Sequence, residues 1–467
     1  MLWVVLAWAA IRTVMLLVAT GHAGPLDHYG RKSQGDIYDY MVWANDSLVH
    51  LRMPTTDLWQ YPPLIAPLLL LPKLLPFMGY IDAFVLLTFL ADAAIMAILV
   101  WTAARRQGRL LGVWYWTLSV PMLGTIIYGR FDVFPSLLVI VALALLGVGV
   151  PAGPGRKELN GRRWFAGGLI GIGAAMKVWP GLAVFALPRT KRGVQTAIVG
   201  ALTGGLATFA VGELFQNGWG FLHAQKYRGT EIESVWAIPF LTARKLHLWH
   251  GRIEYRYGSY EVVGPWVVDM THLALLSTVV AFGLLAWWWL RATWRPAVVA
   301  DATLVATMLM IVTSRVISPQ YMIWLLATAS FCLLFKDSSQ RRSAVVLLAC
   351  MPLTQLEFPF GFIGLIYYHT SPFLVLALRD LLLVVAAVVG FVDLWRGTVE
   401  GRLLTLEPLR GLWHRKSAAG TDAEIEAEID AAIEAEPGTE PESADSAPAT
   451  EPTLLSGSER SEAASNA

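Results

Sequence analysis

Two aspartates near the start of a predicted surface helix have the spacing needed for acid–base chemistry. Asp36 and Asp39 lie three residues apart within residues 35–40 (GDIYDY), and Trp43 follows four positions after Asp39. On a helix these three residues share a face, so two carboxylates stand beside a flat apolar ring. A carboxylate at the rim of a low-dielectric cavity has a raised proton affinity and can act as a general base. We predict Asp36 and Asp39 as catalytic candidates; a helix cap or a solvated acid is the alternative.

Two short motifs place basic residues where they can contact an anion. Arg130 and Asp132 belong to the run GRFD before an apolar stretch, and Lys177 belongs to the run KVWP. An arginine held by a nearby aspartate at a membrane surface can bind a phosphate through two parallel hydrogen bonds. We predict that all three residues bind a donor phosphate or sugar. For the GRFD run the alternative is a snorkelling arginine followed by an aspartate that caps a helix.

A long polar loop and a Ser-Pro turn carry further candidates of the same kind. They are residues 227–234 (YRGTEIES) and 314–321 (SRVISPQY). Charged and amide side chains are costly at a membrane boundary unless they bind something, so we predict that these segments contact the phosphate and sugar hydroxyls. The alternative is a merely solvated loop. The candidates are Arg228, Glu231, Arg315, Gln320 and Tyr321.

Other catalytic and binding motifs are missing from the sequence. It has no Walker-type phosphate loop, no Gly-x-Ser-x-Gly elbow and no His-Glu-x-x-His pair. Cys332 and Cys350, the two cysteines, both lie in apolar runs, which argues against a disulfide framework or a cysteine metal site. We predict no cofactor and no nucleic-acid partner, and a divalent metal stays open.

The composition requires that these residues be positioned by membrane helices. The chain is 55% hydrophobic and 15% charged, far from the quarter-charged composition of soluble proteins. Apolar runs of about twenty residues recur evenly along it. This predicts an all-α, polytopic membrane protein and excludes a soluble enzyme with a single anchor.

Basic residues between the apolar runs predict the topology, because short cytoplasmic loops are enriched in Lys and Arg. The clusters are Arg105/Arg106/Arg109, Arg156/Lys157/Arg162/Arg163, Arg189/Lys191/Arg192 and Lys336/Arg341/Arg342. About ten full spans follow, at residues 2–20, 80–104, 110–127, 133–150, 193–213, 266–290, 297–313, 318–335, 343–356 and 371–395. Both termini are then cytoplasmic, and the polar clusters converge on the external side.

Two apolar segments do not fit as simple crossings. Residues 64–78 contain three prolines, and counting them as a span would move a basic cluster outside, so we predict a re-entrant or interfacial helix. Residues 164–187 begin and end beside basic clusters, which predicts two half-helices broken at Pro180. Broken backbone at membrane depth lines a cavity or is buried in protein. Lys177 therefore faces a polar pocket in this interpretation; one kinked full span is the alternative.

The predicted domain organisation is one membrane domain followed by a polar tail. Residues 1–395 form the catalytic membrane domain, with external loops at 22–79 and 214–265 and a basic segment at 396–416. Residues 417–467 hold 13 acidic residues against one Arg, so the rest of the chain carries about +13. This tail, poor in large apolar residues, is predicted to be disordered and cytoplasmic.

The order of the motifs resembles one family of membrane enzymes. An aspartate in a long first external loop, a Tyr-Pro-Pro element at residues 61–63, and then GRFD, KxWP, RGxxIES and SPQY resemble the actinobacterial C-type (GT-C) glycosyltransferases. The PimE-like α-1,2-mannosyltransferases and related arabinofuranosyltransferases are the most similar. The resemblance covers about residues 1–395.

The resemblance implies an inverting transfer of a sugar, most simply mannose, from a polyprenyl phosphate to a glycolipid or glycan. The reaction would occur at the external face of the plasma membrane, in cell-envelope glycolipid synthesis. The family's catalytic aspartate matches Asp36, with Asp39 in reserve, and segments 64–78 and 164–187 would hold the isoprenoid chain. Gln320 and Tyr321 stand where the mannosyltransferases have a His-containing segment, so arabinofuranose is the alternative sugar.

Two other classes of protein compete with this interpretation. Charged residues within spans, such as Asp92, Asp269, Asp301 and Arg379-Asp380, are also typical of transporters and flippases. Against a transporter, the two halves show no repeat and the polar clusters gather on one side. A non-catalytic assembly protein that docks through its acidic tail is the second alternative.

Overall fold

The computed structural model describes residues 1–105, 109–147 and 156–399, which form a bundle of helices with one small sheet. The predicted all-α, polytopic fold class is confirmed. Arg106, residues 400–416 of the predicted basic segment and the predicted tail at 417–467 lie outside the described residues.

The helices vary from single turns to full membrane length. The first are α1 (Leu2–Ala19), α2 (Asp27–Lys32), α3 (Gly35–Asp46), α4 (Ile65–Leu70), α5 (Tyr80–Arg105) and α6 (Leu111–Leu123). Then follow α7 (Val133–Gly147), α8 (Arg156–Met176), α9 (Lys191–Leu214), α10 (Phe221–Tyr227) and α11 (Ile238–Lys245). The last are α12 (Val267–Arg291), α13 (Pro296–Thr313), α14 (Tyr321–Cys332), α15 (Arg341–Gln355), α16 (Phe362–Ile366) and α17 (Thr370–Thr398).

Most of the predicted spans are present as continuous helices. Within the described ranges, 8 helices are long and apolar enough to cross a membrane, counting the turns that extend α6 and α15. The spans predicted at 133–150 and 318–335 are the shorter helices α7 and α14, of 15 and 12 residues. The chain is therefore a multi-pass membrane protein.

A buried ion pair joins the first helix to the bundle. Arg12 Nε of α1 lies 2.8 Å from Asp92 Oδ2 of α5, and Trp116 Nε1 of α6 donates to Asp92 Oδ1. The Arg12 guanidinium also donates to the carbonyl oxygens of Trp116 and Thr117. Because Pro121 has no N–H for the Thr117 carbonyl, Arg12 satisfies an acceptor that the helix cannot. These charges within the membrane bundle therefore serve packing.

The two segments that did not fit as crossings are indeed broken. Helix α4 and the 3₁₀ turn after it cover only residues 65–74, too short for a span. Helix α8 ends at Met176, and a 3₁₀ helix runs from Trp179 to Ala186, with Pro180 in its first turn. Arg163 and Leu187 line the same small cavity, so the chain returns to where α8 began. The second of the two predicted arms is a 3₁₀ helix.

The predicted external loop at 214–265 contains a small sheet that the sequence interpretation missed. Strands β1 (Thr230–Glu231), β2 (Arg252–Arg256) and β3 (Ser259–Val263) pair antiparallel in the order β1-β3-β2. Tyr257 and Gly258 join β2 to β3, both with positive φ, as a two-residue hairpin turn requires. The sheet holds Arg228 and Glu231 against the bundle.

The basic clusters meet at one end of the bundle, which we call the basic end. Arg109 donates to the Phe335 carbonyl, Arg189 to the Leu290 carbonyl and Arg295 to the Gly397 carbonyl. The loops before α6, α9 and α13 therefore lie beside the ends of α14, α12 and α17. The candidate residues lie at the opposite end, which we call the site end.

Candidate active site

Asp36 is held at the start of α3 by an arginine from the turn before α7. Arg130 Nε lies 3.0 Å from Asp36 Oδ2, with Arg130 almost buried and the Asp36 side chain 35% exposed. Arg130 Nη1 also donates to the carbonyl oxygens of Ser33 and Gly129. The guanidinium therefore fixes one carboxylate oxygen of Asp36 and leaves the side chain accessible. The sequence had suggested that Asp132 holds Arg130; the structure gives that ion pair to Asp36.

A glycine makes this ion pair possible. Gly129 lies directly against the loop before α3, and a Cβ at this position would collide with the Ser33 carbonyl oxygen. This close contact brings the following residue, Arg130, within reach of Asp36. The Gly in the GRFD run is thus required for close backbone approach, one of the usual reasons for glycine at a site.

An aromatic cluster supports α3 from below and was not among the predicted site residues. Tyr40, Tyr61 and Phe131 contact one another, with ring centroids 5.0 to 6.3 Å apart. Tyr40 also contacts Trp43 and Phe84. The Tyr-Pro-Pro element therefore contributes a ring that packs beneath the helix carrying the aspartates, and it was the signal in the sequence for this cluster.

Asp39 lies one turn after Asp36 on the solvent side of α3. Its side chain is exposed and has no hydrogen-bond partner among the contacts of the described residues. Partial desolvation, followed by the negative charge of Asp36, raises the pKa of Asp39, and Arg130 opposes this only weakly. The structure thus brings both aspartates together but gives only Asp36 an ion-pair partner.

Asp132 and Lys177 form a second ion pair beside the first. Asp132 is fully buried, and its Oδ1 atom accepts hydrogen bonds from Lys177 Nζ at 2.8 Å and Trp324 Nε1 at 2.9 Å. The Lys177 ammonium also lies 4.9 to 5.3 Å from the ring centroids of Phe131, Tyr321 and Trp324. It stands in the break between α8 and the 3₁₀ helix, where one carboxylate and three aromatic rings surround it.

Tyr321 connects these ion pairs to a third group of charges. Its ring stacks on Trp324 at 4.0 Å, and Trp324 stacks in turn on Trp179. The charges that act on the Tyr321 hydroxyl include those of Asp132, Arg228 and Glu231. Gln320, beside it, is the N-cap residue of α14, and its carbonyl accepts from the Ile323 N–H.

Two guanidinium groups face each other in the third group. Arg228 lies near Arg315, and the charge of Arg228, after desolvation, lowers the pKa of Arg315. Arg228 Nη2 is 3.8 Å from Glu231 Oε2, while its buried Nε has no hydrogen-bond partner. The backbone N–H of Glu231 donates to the Arg315 carbonyl, which ties the two segments together. The charge of Glu261 partly offsets the effect of Arg228 on Arg315, and the two guanidinium groups together form a site suited to an anion.

Burial changes the protonation of the acids around this group. Desolvation, partly offset by Arg228, raises the pKa of Glu231. The carboxylate of Glu261 accepts a hydrogen bond from the Gly229 N–H at 2.9 Å, and burial raises its pKa as well. Both shifts favour the neutral form of these carboxyl groups beside Arg228 and Arg315.

Behind Glu231 lies a buried cluster that the sequence did not connect to the site. Arg379 of α17 donates to Asp380 Oδ1 at 2.9 Å and to the Glu233 backbone carbonyl at 2.7 Å. Glu357, in the π-helical turn after α15, is fully buried near Glu233, and neither of its carboxylate oxygens has a hydrogen-bond partner among the described residues. Burial, followed by the charge of Glu357, raises the pKa of Glu233 and favours its protonated form. The charged Arg379-Asp380 pair in an apolar span was the signal for this cluster.

No group of three or more His, Cys, Asp or Glu residues in the described part of the chain could hold a metal ion.

A family model identifies the sequence family. The model of glycosyltransferase family 87 matches residues 59–319, more than half of the chain. The matched part includes Arg130, Lys177, Arg228 and Arg315; it begins after Asp36 and ends just before Gln320.

Comparisons with individual proteins are more distant. A crystal structure of ArnT from Cupriavidus metallidurans bound to undecaprenyl phosphate matches with a TM-score of 0.43 and 13% sequence identity, covering 85% of this chain and 78% of that chain. This similarity is too low to argue from. No curated protein matches the sequence significantly.

Proposed function

The chain belongs to glycosyltransferase family 87, and from this premise we propose that it transfers a sugar from a polyprenyl phosphate to a glycolipid or glycan with inversion. This interpretation replaces the transporter and the assembly protein considered above. Mannose is the first candidate sugar, on the resemblance of the motifs to the PimE-like enzymes. Arabinofuranose is the second, because Gln320 and Tyr321 replace the His-containing segment.

Asp36 is the general base in this proposal. The acceptor hydroxyl gives its proton to Asp36 as its oxygen forms a bond to the anomeric carbon. The bond from that carbon to the phosphate oxygen breaks, and its electron pair leaves with the polyprenyl phosphate. Because Arg130 occupies one oxygen of Asp36, the other is oriented toward the accessible side, where an acceptor can approach.

Cationic side chains stabilise the leaving phosphate. Arg228 and Arg315 lie close together with spare donors, and Lys177 uses one of its three ammonium hydrogens on Asp132. Positive groups placed where charge develops lower the barrier without rearranging during the reaction. Glu231 and Tyr321, between these cations, are suited to contact sugar hydroxyls.

An apolar groove beside Lys177 supports binding of the isoprenoid chain. This α8–α9 groove has a volume of about 550 Å³ and is lined by small residues of α8, α9 and the 3₁₀ helix between them, including Ala174, Gly181, Gly200 and Gly205. It starts near the break that carries Lys177 and extends toward the basic end. A chain in the groove would bring its phosphate to the break after α8, which carries Lys177.

The site end is placed outside the cell in this proposal. The loops at the opposite end carry the basic clusters, and the positive-inside rule assigns such loops to the cytoplasm. Both termini are then cytoplasmic, and transfer takes place on the external face of the plasma membrane.

The ion pair between Asp36 and Arg130 is the observation on which the assignment of the base depends, and substitution of Asp36 tests it. Purified wild-type protein, Asp36→Asn and Asp39→Asn are supplied with polyprenyl-phosphate-mannose or polyprenyl-phosphate-arabinose and a membrane glycolipid extract. We expect Asp36→Asn to fold normally and to lose at least roughly 100-fold in transfer rate, since a general base contributes about 10²- to 10⁴-fold. Asp39→Asn is expected to keep most activity.

The result also identifies the donor, because only one labelled sugar is expected to be transferred. An active Asp36→Asn enzyme would remove Asp36 from the mechanism. Loss of activity in Asp39→Asn alone would transfer the role of base to Asp39.

A further inference from the structure

A second apolar groove opens at the site end, beside α1. It has a volume of about 340 Å³ and lies between α1, α2, the 3₁₀ turn after α6 and the π-helical turn after α15. We call it the α1 groove. Helix α1 packs on α6 and α2, whereas α9 packs on α8, so the two grooves flank the catalytic residues from different sides of the bundle. Its outer wall is formed by Val14, Val18, Leu26, Tyr29 and Phe360.

The inner end of the α1 groove is polar. Ser33 and Thr125 share a hydrogen bond between their hydroxyls at 2.7 Å, and Gln355 lies beside them. Gly124 has a left-handed φ of 75°, and a Cβ there would collide with the Gln355 amide. This glycine therefore keeps the polar end open. A groove with apolar walls and a polar inner end fits an amphipathic molecule.

Ser33 connects the inner end to the ion pair of the proposed base. The side chain of Ser33 lines the groove, and the carbonyl oxygen of the same residue accepts a hydrogen bond from Arg130, the ion-pair partner of Asp36. Phe358, next to the lining residues Pro359 and Phe360, places its ring 5.8 Å from the Arg130 guanidinium carbon. Residues on two walls of the groove are therefore in contact with, or adjacent to residues in contact with, the ion-pair partner of Asp36.

We propose that the α1 groove binds the apolar chain of a membrane-lipid acceptor, whose head-group hydroxyl then reaches Asp36. The inference rests on the proposed function, since it uses Asp36 as the base. An inverting displacement brings the attacking oxygen and the leaving phosphate to opposite faces of the anomeric carbon. The donor chain in the α8–α9 groove, beside Lys177, and the acceptor chain in the α1 groove, beside Asp36, satisfy this geometry.

The volume of the α1 groove limits which part of an acceptor it can bind. At about 340 Å³ it is near the lower limit of ligand pockets, roughly 300 to 1,000 Å³. It therefore holds a segment of one alkyl or acyl chain and not a whole glycolipid. The acceptor is a lipid-linked sugar drawn from the membrane, and a free oligosaccharide lacks the part that this groove binds.

Photolabelling locates the acceptor chain without requiring turnover. The probe is octyl α-mannoside with a diazirine at the end of its chain, added to the purified full-length protein in nanodiscs. We expect labelled peptides from residues 14–29 and 355–360, and at least fivefold less label in the presence of unlabelled octyl mannoside. Labelling only along α8 and α9, or competition by undecaprenyl phosphate alone, would overturn the assignment.

The second test compares the transfer kinetics of an acceptor that has an alkyl chain with those of an acceptor that lacks one. Octyl and methyl α-mannoside are compared as acceptors for wild type, Val14→Trp and Leu17→Trp. Val14 lines the groove, whereas Leu17, one turn further along α1, is exposed and is not among the residues that line it. We expect wild type and Leu17→Trp to prefer the octyl acceptor by at least tenfold in kcat/KM, and Val14→Trp to lose most of that preference.

The two tests distinguish failure of the acceptor-groove proposal from failure of the proposed sugar transfer. Equal use of both mannosides by wild type, or an unchanged preference in Val14→Trp, overturns the acceptor groove. Absence of transfer to either mannoside contradicts the proposed mannosyl transfer, and the photolabelling then decides the groove by itself.

Discussion

At the scale of single residues, the charged side chains of the site form ion pairs with residues of other elements and not with their neighbours in sequence. Arg130 and Asp132 are almost adjacent in sequence, yet Arg130 pairs with Asp36 and Asp132 pairs with Lys177. Each charge is thereby neutralised by a residue from another element, and the two pairs lie on either side of Phe131. An isolated charge at this depth would cost several kcal/mol, so the pairing fixes the positions of all four residues.

Gly129 provides a test of this arrangement that leaves every charged residue in place. Gly129→Ala is expected to lower kcat roughly 10- to 100-fold, because the new methyl group pushes Arg130 and Asp36 apart and a displacement of about 1 Å can cost that much. Transfer assays on the purified variant measure the effect. Gly35→Ala, next to Asp36 but with nothing within 4 Å of the added carbon, is the control and should keep near wild-type activity. Equal activity of the two variants would show that the close contact at Gly129 is unimportant.

At the scale of elements, two pieces of the structure hold the site in shape. Helices α8 and α9 cross with glycine against glycine, Gly167 and Gly171 facing Gly200 and Gly204. Small residues four apart allow helix backbones to approach closely in membranes. This close crossing supports the break that carries Lys177 and forms one wall of the α8–α9 groove.

The close crossing of α8 and α9 predicts that substitutions of two neighbouring glycines differ in their effect on stability. Gly171→Ala should destabilise the protein by about 1 to 3 kcal/mol, because the added methyl group meets the Gly200 carbonyl of α9 directly. Gly168→Ala, whose added carbon would lie 3.8 Å from the Thr203 hydroxyl, should change stability little. Thermal unfolding in nanodiscs compares the two variants. An unchanged unfolding temperature for Gly171→Ala would contradict the tight crossing.

The second supporting element is the contact between the Glu233 loop and the π-helical turn that carries Glu357. Burial first, and then the charges of Glu357 and Glu231, raises the pKa of Glu233 well above 4.5. Arg379 and Asp380 of α17 also face this pair. The Glu233 carboxyl is therefore protonated in the folded protein at a pH where it would be ionised in the unfolded chain.

This raised pKa predicts a loss of stability at higher pH. A raised folded-state pKa contributes stability that is complete below pH 4.5 and is lost as the pH rises toward and through the raised value. One group can change stability by at most about 1.4 kcal/mol per pH unit. We expect the unfolding temperature to fall as the pH increases from 5, and to fall less in Glu233→Gln, whose amide stays neutral.

Glu254→Gln is the matched control for this measurement. Glu254, in strand β2, pairs with Arg252 and Arg256 near the surface. The variant should show the wild-type dependence of unfolding temperature on pH. A Glu233→Gln curve parallel to the wild-type curve would mean that this pair does not hold a proton in the folded protein.

At the scale of the whole molecule, the bundle separates two kinds of surface. The basic loops meet at the basic end. The ion pairs and the sheet lie at the site end, and both grooves extend to it. A transfer between two lipid-linked substrates needs such an arrangement, because each chain must stay in the membrane while the polar groups meet at its surface.

Filling the α8–α9 groove tests this arrangement for the donor. Gly205 lines the groove, and a side chain there would meet no protein atom within 4 Å. Gly205→Leu is expected to raise KM roughly tenfold for a long polyprenyl-phosphate donor and to have less effect on a donor with a ten-carbon chain, which needs less of the groove. Gly283→Leu, equally open but on α12, is the control and should leave both KM values unchanged. The same KM for the long donor in Gly205→Leu and wild type would exclude this groove.

The sequence alone determined the class of the molecule and the motifs around which it is built. Hydrophobic length and basic loops are local properties, so the spans, the broken segments at 64–78 and 164–187 and the separation of the two ends followed from them. The motif order also indicated a glycosyltransferase, and the family match shows that this was correct. The subfamily, the sugar and the catalytic roles stay predictions.

Only the tertiary structure decided which residues touch. The pairing of Asp36 with Arg130, of Asp132 with Lys177 and Trp324, and of Glu233 with Glu357 joins positions far apart in the chain. The small sheet was missed because its strands are short and their turn residues, Tyr257 and Gly258, gave a weak signal. Such contacts depend on how helices pack against one another, and the periodicity of a single segment carries no information about its distant partner.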